Sequence, residues 1–144
     1  MATYFDTSAL AKRYIADQGS NAVDAFLAQH LEDCVISPLV VAEFESILQR
    51  LLRQGLIDTD YAAQSRSQFA ADLAGALWAM LPFQVASFGR ATGLLRDLGT
   101  PLATLDALHL ACAIEMNCGA LATSDRQLVR AAEASGLLVH SFVK

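Results

Sequence analysis

A chain of 144 residues with 54% hydrophobic content is long enough to bury one well-formed core and too short for two ordinary domains, so a single domain over residues 1–144 is expected. A formal net charge of −5 excludes a protein that grips nucleic acid through bulk positive charge, because phosphate neutralisation depends on Lys and Arg. It does not exclude nucleic-acid chemistry, since carboxylates gathered around a divalent cation make a phosphate-binding centre of their own.

The longest uncharged run, Leu73 to Gly89, is broken by Gly75, Pro82, Gln84 and Ser87, and the first residues lack the basic-then-apolar layout of a secretion signal. A cytoplasmic protein with no membrane partner is expected. Cys34, Cys112 and Cys118 are odd in number, lie beside apolar residues and have no Cys-x-x-Cys spacing. Buried, reduced thiols are therefore expected rather than disulfides or zinc ligands. His30, His109 and His140 show no ligand spacing either and read as structural residues.

Thr3-Tyr4-Phe5 has the character of a short strand that stops at Asp6-Thr7-Ser8, and Ala9 to Ala16 then reads as a helix with Leu10 and Tyr14 at i, i+4. Asp6 thus stands at a strand's carboxyl end, where open parallel sheets bind ligands; capping the helix is an equal alternative, with Thr7 and Ser8 as competitors for that task. Ser20 to Leu31 is a second helix by the spacing of Val23, Phe26, Leu27 and Leu31, and Cys34-Val35-Ile36 a second buried strand. Ser37-Pro38 supplies an N-cap and a first-turn proline for a helix running to Gln54 and ended by Gly55. Strand, helix, strand, helix is the rhythm of a parallel α/β sheet.

On the third helix, Glu43 edges the apolar stripe of Leu39, Val40, Ile47 and Leu51, whereas Glu45 projects toward Gln49 and solvent. Pairing with Arg50 and a functional role are both open to Glu43. Asp58-Thr59-Asp60 caps a helix from Tyr61 to Leu77. Trp78, Met80, Leu81 and Phe83 form an apolar cluster around Pro82, suited to core or interface. Ser87 to Leu98 is amphipathic and closed by Gly99 and Pro101. Thr104 is placed to cap the next helix, in which Asp106 falls in the first turn before an almost wholly apolar run. Ala120-Leu121-Ala122 is a small strand leading to Asp125, which repeats the position of Asp6; a helix from Arg126 to Ser135 and a strand from Leu137 to Phe142 complete the chain.

Asp6, Glu43, Asp106 and Asp125 all lie near expected strand ends or helix starts. Brought to one sheet edge they would repel and raise one another's pKa, and Mg²⁺ or Mn²⁺, which prefer oxygen ligands, would relieve that repulsion. Such ions also neutralise charge on a reacting phosphodiester.

Four stretches in this order, Tyr4-Phe5-Asp6-Thr7-Ser8-Ala9-Leu10, Ser37-Pro38-Leu39-Val40-Val41-Ala42-Glu43, Leu105-Asp106-Ala107-Leu108-His109-Leu110-Ala111 and Ala122-Thr123-Ser124-Asp125-Arg126-Gln127-Leu128, resemble the PIN domain, and within it the VapC-type ribonuclease toxins of toxin–antitoxin modules. The resemblance implies a three-layer α/β/α fold on a parallel sheet, a metal site of Asp6, Glu43, Asp106 and Asp125, and Mg²⁺- or Mn²⁺-dependent cleavage of RNA. It also implies a cognate antitoxin and, with the apolar Trp78 to Phe83 region, a homodimer. Within it, Thr7, Ser8 and Thr123 match polar positions that orient the acids, Ser8 and Thr123 foremost, and Lys12, Arg13 and Arg126 follow the acids closely enough to be phosphate contacts. His109 falls within the third motif and reads as structural on its buried helix. A phosphatase of the haloacid dehalogenase type would want a second Asp where Ser8 stands, and a receiver domain an adjacent acidic pair. The remaining alternative is a non-catalytic PIN-like module that binds RNA or protein.

Overall fold

Five strands and seven helices follow in the order β1 (Thr3–Phe5), α1 (Thr7–Tyr14), α2 (Ser20–Gln29), β2 (Cys34–Ile36), α3 (Pro38–Arg53), α4 (Thr59–Ala74), β3 (Ala79–Met80), α5 (Ala86–Asp97), α6 (Thr104–Glu115), β4 (Ala120–Thr123), α7 (Arg126–Ala134) and β5 (Leu138–Ser141). This is the arrangement in the computed structural model, which describes residues 1–144. All strand pairs are parallel, and the strand order is β3-β2-β1-β4-β5. β1 is central: Thr3 lies opposite Cys34 on one side, and Phe5 opposite Ala122 on the other.

The period-two alternation of strand side chains divides the core in two. Tyr4, Val35 and Leu121 pack on one face against Leu110 and Cys112 of α6 and Leu128, Ala131 and Ala132 of α7. Phe5, Ile36 and Ala122 turn to the other face, toward Leu10 and Tyr14 of α1, Val23 and Leu27 of α2, and Val40, Phe44 and Leu48 of α3. Helices on both faces make the expected three-layer α/β/α sandwich, and burial on both sides explains why β1, β2 and β4 read as apolar runs. The three cysteines are buried and unpaired, as expected, and burial lifts each thiol to about 11. No helix is long and apolar enough to cross a membrane.

Several local expectations are corrected. α1 begins at Thr7 rather than Ala9, because Asp6 itself is the cap. Thr104 is the first residue of α6 and not its cap; the chain enters from Ala103 with no side-chain capping bond. Ser37 occupies the N-cap position of α3, but its hydroxyl bonds the Tyr4 hydroxyl at 2.8 Å instead of the helix backbone. Ala79–Met80 forms an edge strand where only an apolar cluster was foreseen. Trp78 resolves to core: it is 2% exposed, meets Phe5 edge-on at 5.0 Å, and donates its indole N–H to the Tyr14 hydroxyl at 2.8 Å.

Candidate functional site

Strand order reverses between β1 and β4, since the chain leaves β1 for β2 on one side and returns to β4 on the other. The crevice beyond the carboxyl ends of such a pair is where α/β sheets hold ligands. Asp6 lies there, 2% exposed, with both oxygens occupied: Oδ1 accepts from the Ala9 amide at 2.9 Å and Ser8 Oγ at 2.8 Å, and Oδ2 accepts from Thr123 Oγ1 at 2.6 Å. Cap and enclosed carboxylate are thus one residue. Burial pushes its carboxyl up from the usual range, while Thr123, the nearby His109, the Ala9 amide and Ser8 pull against that rise.

The same hydroxyls join the two strand ends. Ser8 Oγ accepts from the Ser124 amide at 2.9 Å, and Thr123 Oγ1 accepts from the Asp125 amide at 3.0 Å. Asp125 caps α7 through Oδ1, which receives the amides of Gln127 and Leu128 at 2.8 and 3.1 Å. Its Oδ2 has no donor.

Glu43 comes from α3 on the far side of β1. Its Oε1 accepts from Thr7 Oγ1 at 2.9 Å and from His109 Nε2, while Oε2 has no donor. Burial pulls this carboxyl upward, but the His109 bond and charge together with Thr7 prevail and hold it below its usual range. Arg50 is exposed and takes no part, and Glu45 turns outward to Gln49 and Arg66. The His109 bond is the feature that sequence reading missed. Asp106 and His109 share a helix face at i, i+3, but that spacing does not reveal a partner on α3.

Asp106 differs from the other three acids: it is partly buried in the first turn of α6, and nothing donates a hydrogen bond to it. Its pKa is pushed up to about 6, by burial first and then by repulsion from Asp125, Asp6 and Glu43, with His109 opposing. The four carboxylates therefore share one edge and feel one another, although no three His, Cys, Asp or Glu side chains close around a common point. The donor set nonetheless fits a hard divalent cation. Asp106 without a donor, and the unoccupied Oε2 of Glu43 and Oδ2 of Asp125, are oxygen ligands of the kind Mg²⁺ and Mn²⁺ take.

The three basic residues differ in their surroundings. Lys12 is 6% exposed and its ammonium sits 2.7 Å from Asp17. Arg13 is held by Asp72 at 2.8 Å and Asp24 at 3.3 Å, on α4 and α2. Both charges are matched by carboxylates, and Lys12 also lines the cleft beside Asp125. Arg126 is exposed at the start of α7, donates to the Lys144 carbonyl at 2.9 Å, and lines an open cleft with Asp125 and Ser124.

Residues 3–134 match the family described as PIN domain. The chain belongs to the PIN-domain family. No curated protein matches it at a comparable level. Among solved structures, this PIN domain is similar to VapC20 of Mycobacterium tuberculosis, a sarcin-ricin-loop-cleaving toxin, at 16% identity and a TM-score of 0.70, covering 95% of this chain and 97% of that one. It is similar also to VapBC2 from Rickettsia felis bound to a DNA fragment from their promoter, at 16% identity and 0.70, covering 98% of both chains. FitAcB from Neisseria gonorrhoeae gives 21% identity and 0.68, with 97% of both chains covered. At these identities the likeness concerns the fold: the PIN domain shares its sheet and helical layers with these proteins over nearly their whole length.

Proposed function

We propose that this PIN domain is a Mg²⁺- or Mn²⁺-dependent endoribonuclease that hydrolyses RNA phosphodiester bonds, and that it is the toxin of a type II toxin–antitoxin pair. The observation that carries the reading is Asp106, a carboxylate with no donor whose pKa is raised to about 6 in the company of Asp125, Asp6 and Glu43. Such an arrangement lowers stability unless a cation occupies it. Family membership and the VapC and FitAcB likenesses point the same way.

In this reading Asp6, Asp106 and Asp125, with Glu43, hold the cation. When bound, it would stabilise charge on the phosphodiester and ease deprotonation of water. Asp6 is held against rotation by Ser8, Thr123 and the Ala9 amide, so its place does not depend on substrate. Glu43 keeps Oε2 open to receive a proton from the attacking water, while Oε1 is fixed by Thr7 and His109. Asp125, rooted at the N-terminus of α7, offers Oδ2. Arg126 and Lys12 both line the cleft beside Asp125 where a phosphate would lie. We read residues 1–144 as one domain, with RNA as substrate, a cognate antitoxin as protein partner and a homodimer as the assembly. Exposed Met80, Val85 and Phe88 support the last point.

The test is incubation of the purified protein with RNA and Mg²⁺ or Mn²⁺, followed by sequencing of the RNA ends. Discrete new ends with the native chain, and none with the D6N/D106N double variant, are expected. Undiminished cleavage by that variant refutes the site, and binding without cleavage by the native chain favours a non-catalytic module.

A further inference from the structure

His109 is 1% exposed, yet its ring is bonded at both nitrogens to side chains from other elements: Nδ1 to the Tyr4 hydroxyl of β1 at 2.7 Å, and Nε2 to Glu43 of α3. Tyr4 in turn meets Ser37 Oγ at the start of α3 at 2.8 Å, and both Tyr4 and Ser37 are fully buried. A carboxylate oxygen only accepts, so Nε2 carries the hydrogen toward Glu43. At the other ring nitrogen the Tyr4 hydroxyl is the partner, and Ser37 Oγ is in turn the partner of that hydroxyl. One chain of hydrogen bonds therefore links Ser37, Tyr4, His109 and Glu43, and it joins the inner strand to the helices on either side of the acids. Thr7 donates to the same Glu43 oxygen.

We infer that His109 is a positioning residue: through Nε2 it fixes Oε1 of Glu43, with Tyr4 fixing its ring, so that Glu43 presents Oε2 alone to the cation and water. The inference rests on the reading of Glu43 as part of a cation site. An unrestrained glutamate would spend rotamer entropy on each approach of the cation, and here that entropy is already lost in the fold. Outer hydrogen-bond partners of this kind set the affinity of a metal site without touching the ion.

The test is calorimetric titration of Mn²⁺ into the metal-free full-length protein, in native, H109Q, H109N and Y4F forms, alongside thermal melts without metal. Gln reaches the position of Nε2 with an amide N–H, whereas Asn stops near Nδ1. H109N is expected to weaken Mn²⁺ binding by about 10-fold or more and H109Q by no more than about 3-fold, in line with the effect of outer-sphere partners. RNA cleavage is expected to follow in kcat rather than KM. Native affinity in a cooperatively melting H109N overturns the inference, as does equal weakening in H109N and H109Q. Should neither His109 variant fold, Y4F decides: reduced Mn²⁺ affinity supports the inference, and native affinity overturns it. A native chain that binds no Mn²⁺ at all instead refutes the cation site itself.

Discussion

Burial first, and then repulsion from Asp125, Asp6 and Glu43, pushes the Asp106 carboxyl up to about 6, above the ordinary aspartate value of about 3.9. Its sign in stability follows directly. A group whose pKa is higher folded than unfolded stabilises the fold while protonated, fully below about pH 4, and that contribution is lost as pH rises through about 6. The displacement sets a ceiling of about 3 kcal/mol, and partial exposure screens this to about 1 kcal/mol. Asp106→Asn in metal-free protein is therefore expected to match the native chain at pH 4 and to exceed it by about 1 kcal/mol at pH 7. Denaturant melts at the two pH values check this, and saturating Mn²⁺ is expected to reverse the order by stabilising only the native chain. A variant less stable than the native chain at pH 7 without metal would show that Asp106 already has a favourable partner.

At the scale of elements, capping bonds serve two purposes that mutation separates. Asp58 caps α4 through the Tyr61 amide at 2.8 Å and exchanges no hydrogen bond with any acid of the cluster. Asp58→Ala is expected to cost about 1 kcal/mol and to leave Mn²⁺ affinity at the native value. Asp6 caps α1 in the same way but also lies at the sheet edge, so stability and Mn²⁺ binding should fall together in Asp6→Ala. A parallel contrast holds for the strut that ties α1 to α4, where Asp72 accepts from Arg13 at 2.8 Å and from the Tyr14 hydroxyl at 2.5 Å. Arg13→Ala is expected to lower the melting temperature by a few degrees, from loss of about 1–2 kcal/mol, with RNA cleavage unchanged. Cleavage lost in a folded Arg13→Ala protein would restore the phosphate role that the Asp72 and Asp24 pairs argue against.

For the whole molecule, ten Lys and Arg against fifteen Asp and Glu leave little positive surface, and Lys12 and Arg13 are already committed. On the proposed reading, RNA binding then depends on the acid edge and its cation more than on counterion release. The KM for RNA is expected to rise with salt by a log–log slope no steeper than about +2, the mark of few direct phosphate contacts, and chelation with EDTA should abolish cleavage. A steep salt dependence would reveal a basic track that the charge distribution does not suggest. The exposed apolar side chains of Met80, Val85 and Phe88 belong to this scale too. Phe88→Glu is expected to shift a dimer to monomer in light scattering at fixed concentration, leaving the melting transition cooperative.

Sequence pattern alone determined the α/β alternation of a parallel sheet, because strands buried on both faces must be short apolar runs and amphipathic helices must cover them, while the three-layer sandwich was implied by the resemblance of its motifs. It also placed Asp6 and Asp125 just beyond strands and Asp106 in a first helical turn, since turn and cap chemistry is local. Only the tertiary structure decided which atoms meet. The bond from His109 to Glu43 spans 66 positions and that from Tyr4 to His109 spans 105; periodicity tells which face a side chain occupies and nothing of what stands opposite. For the same reason Ser37 gave up its cap for Tyr4, and Lys12 and Arg13 turned to carboxylates outside the acid edge. Local pattern fixes direction, whereas partner and protonation depend on the packing of elements distant in the chain.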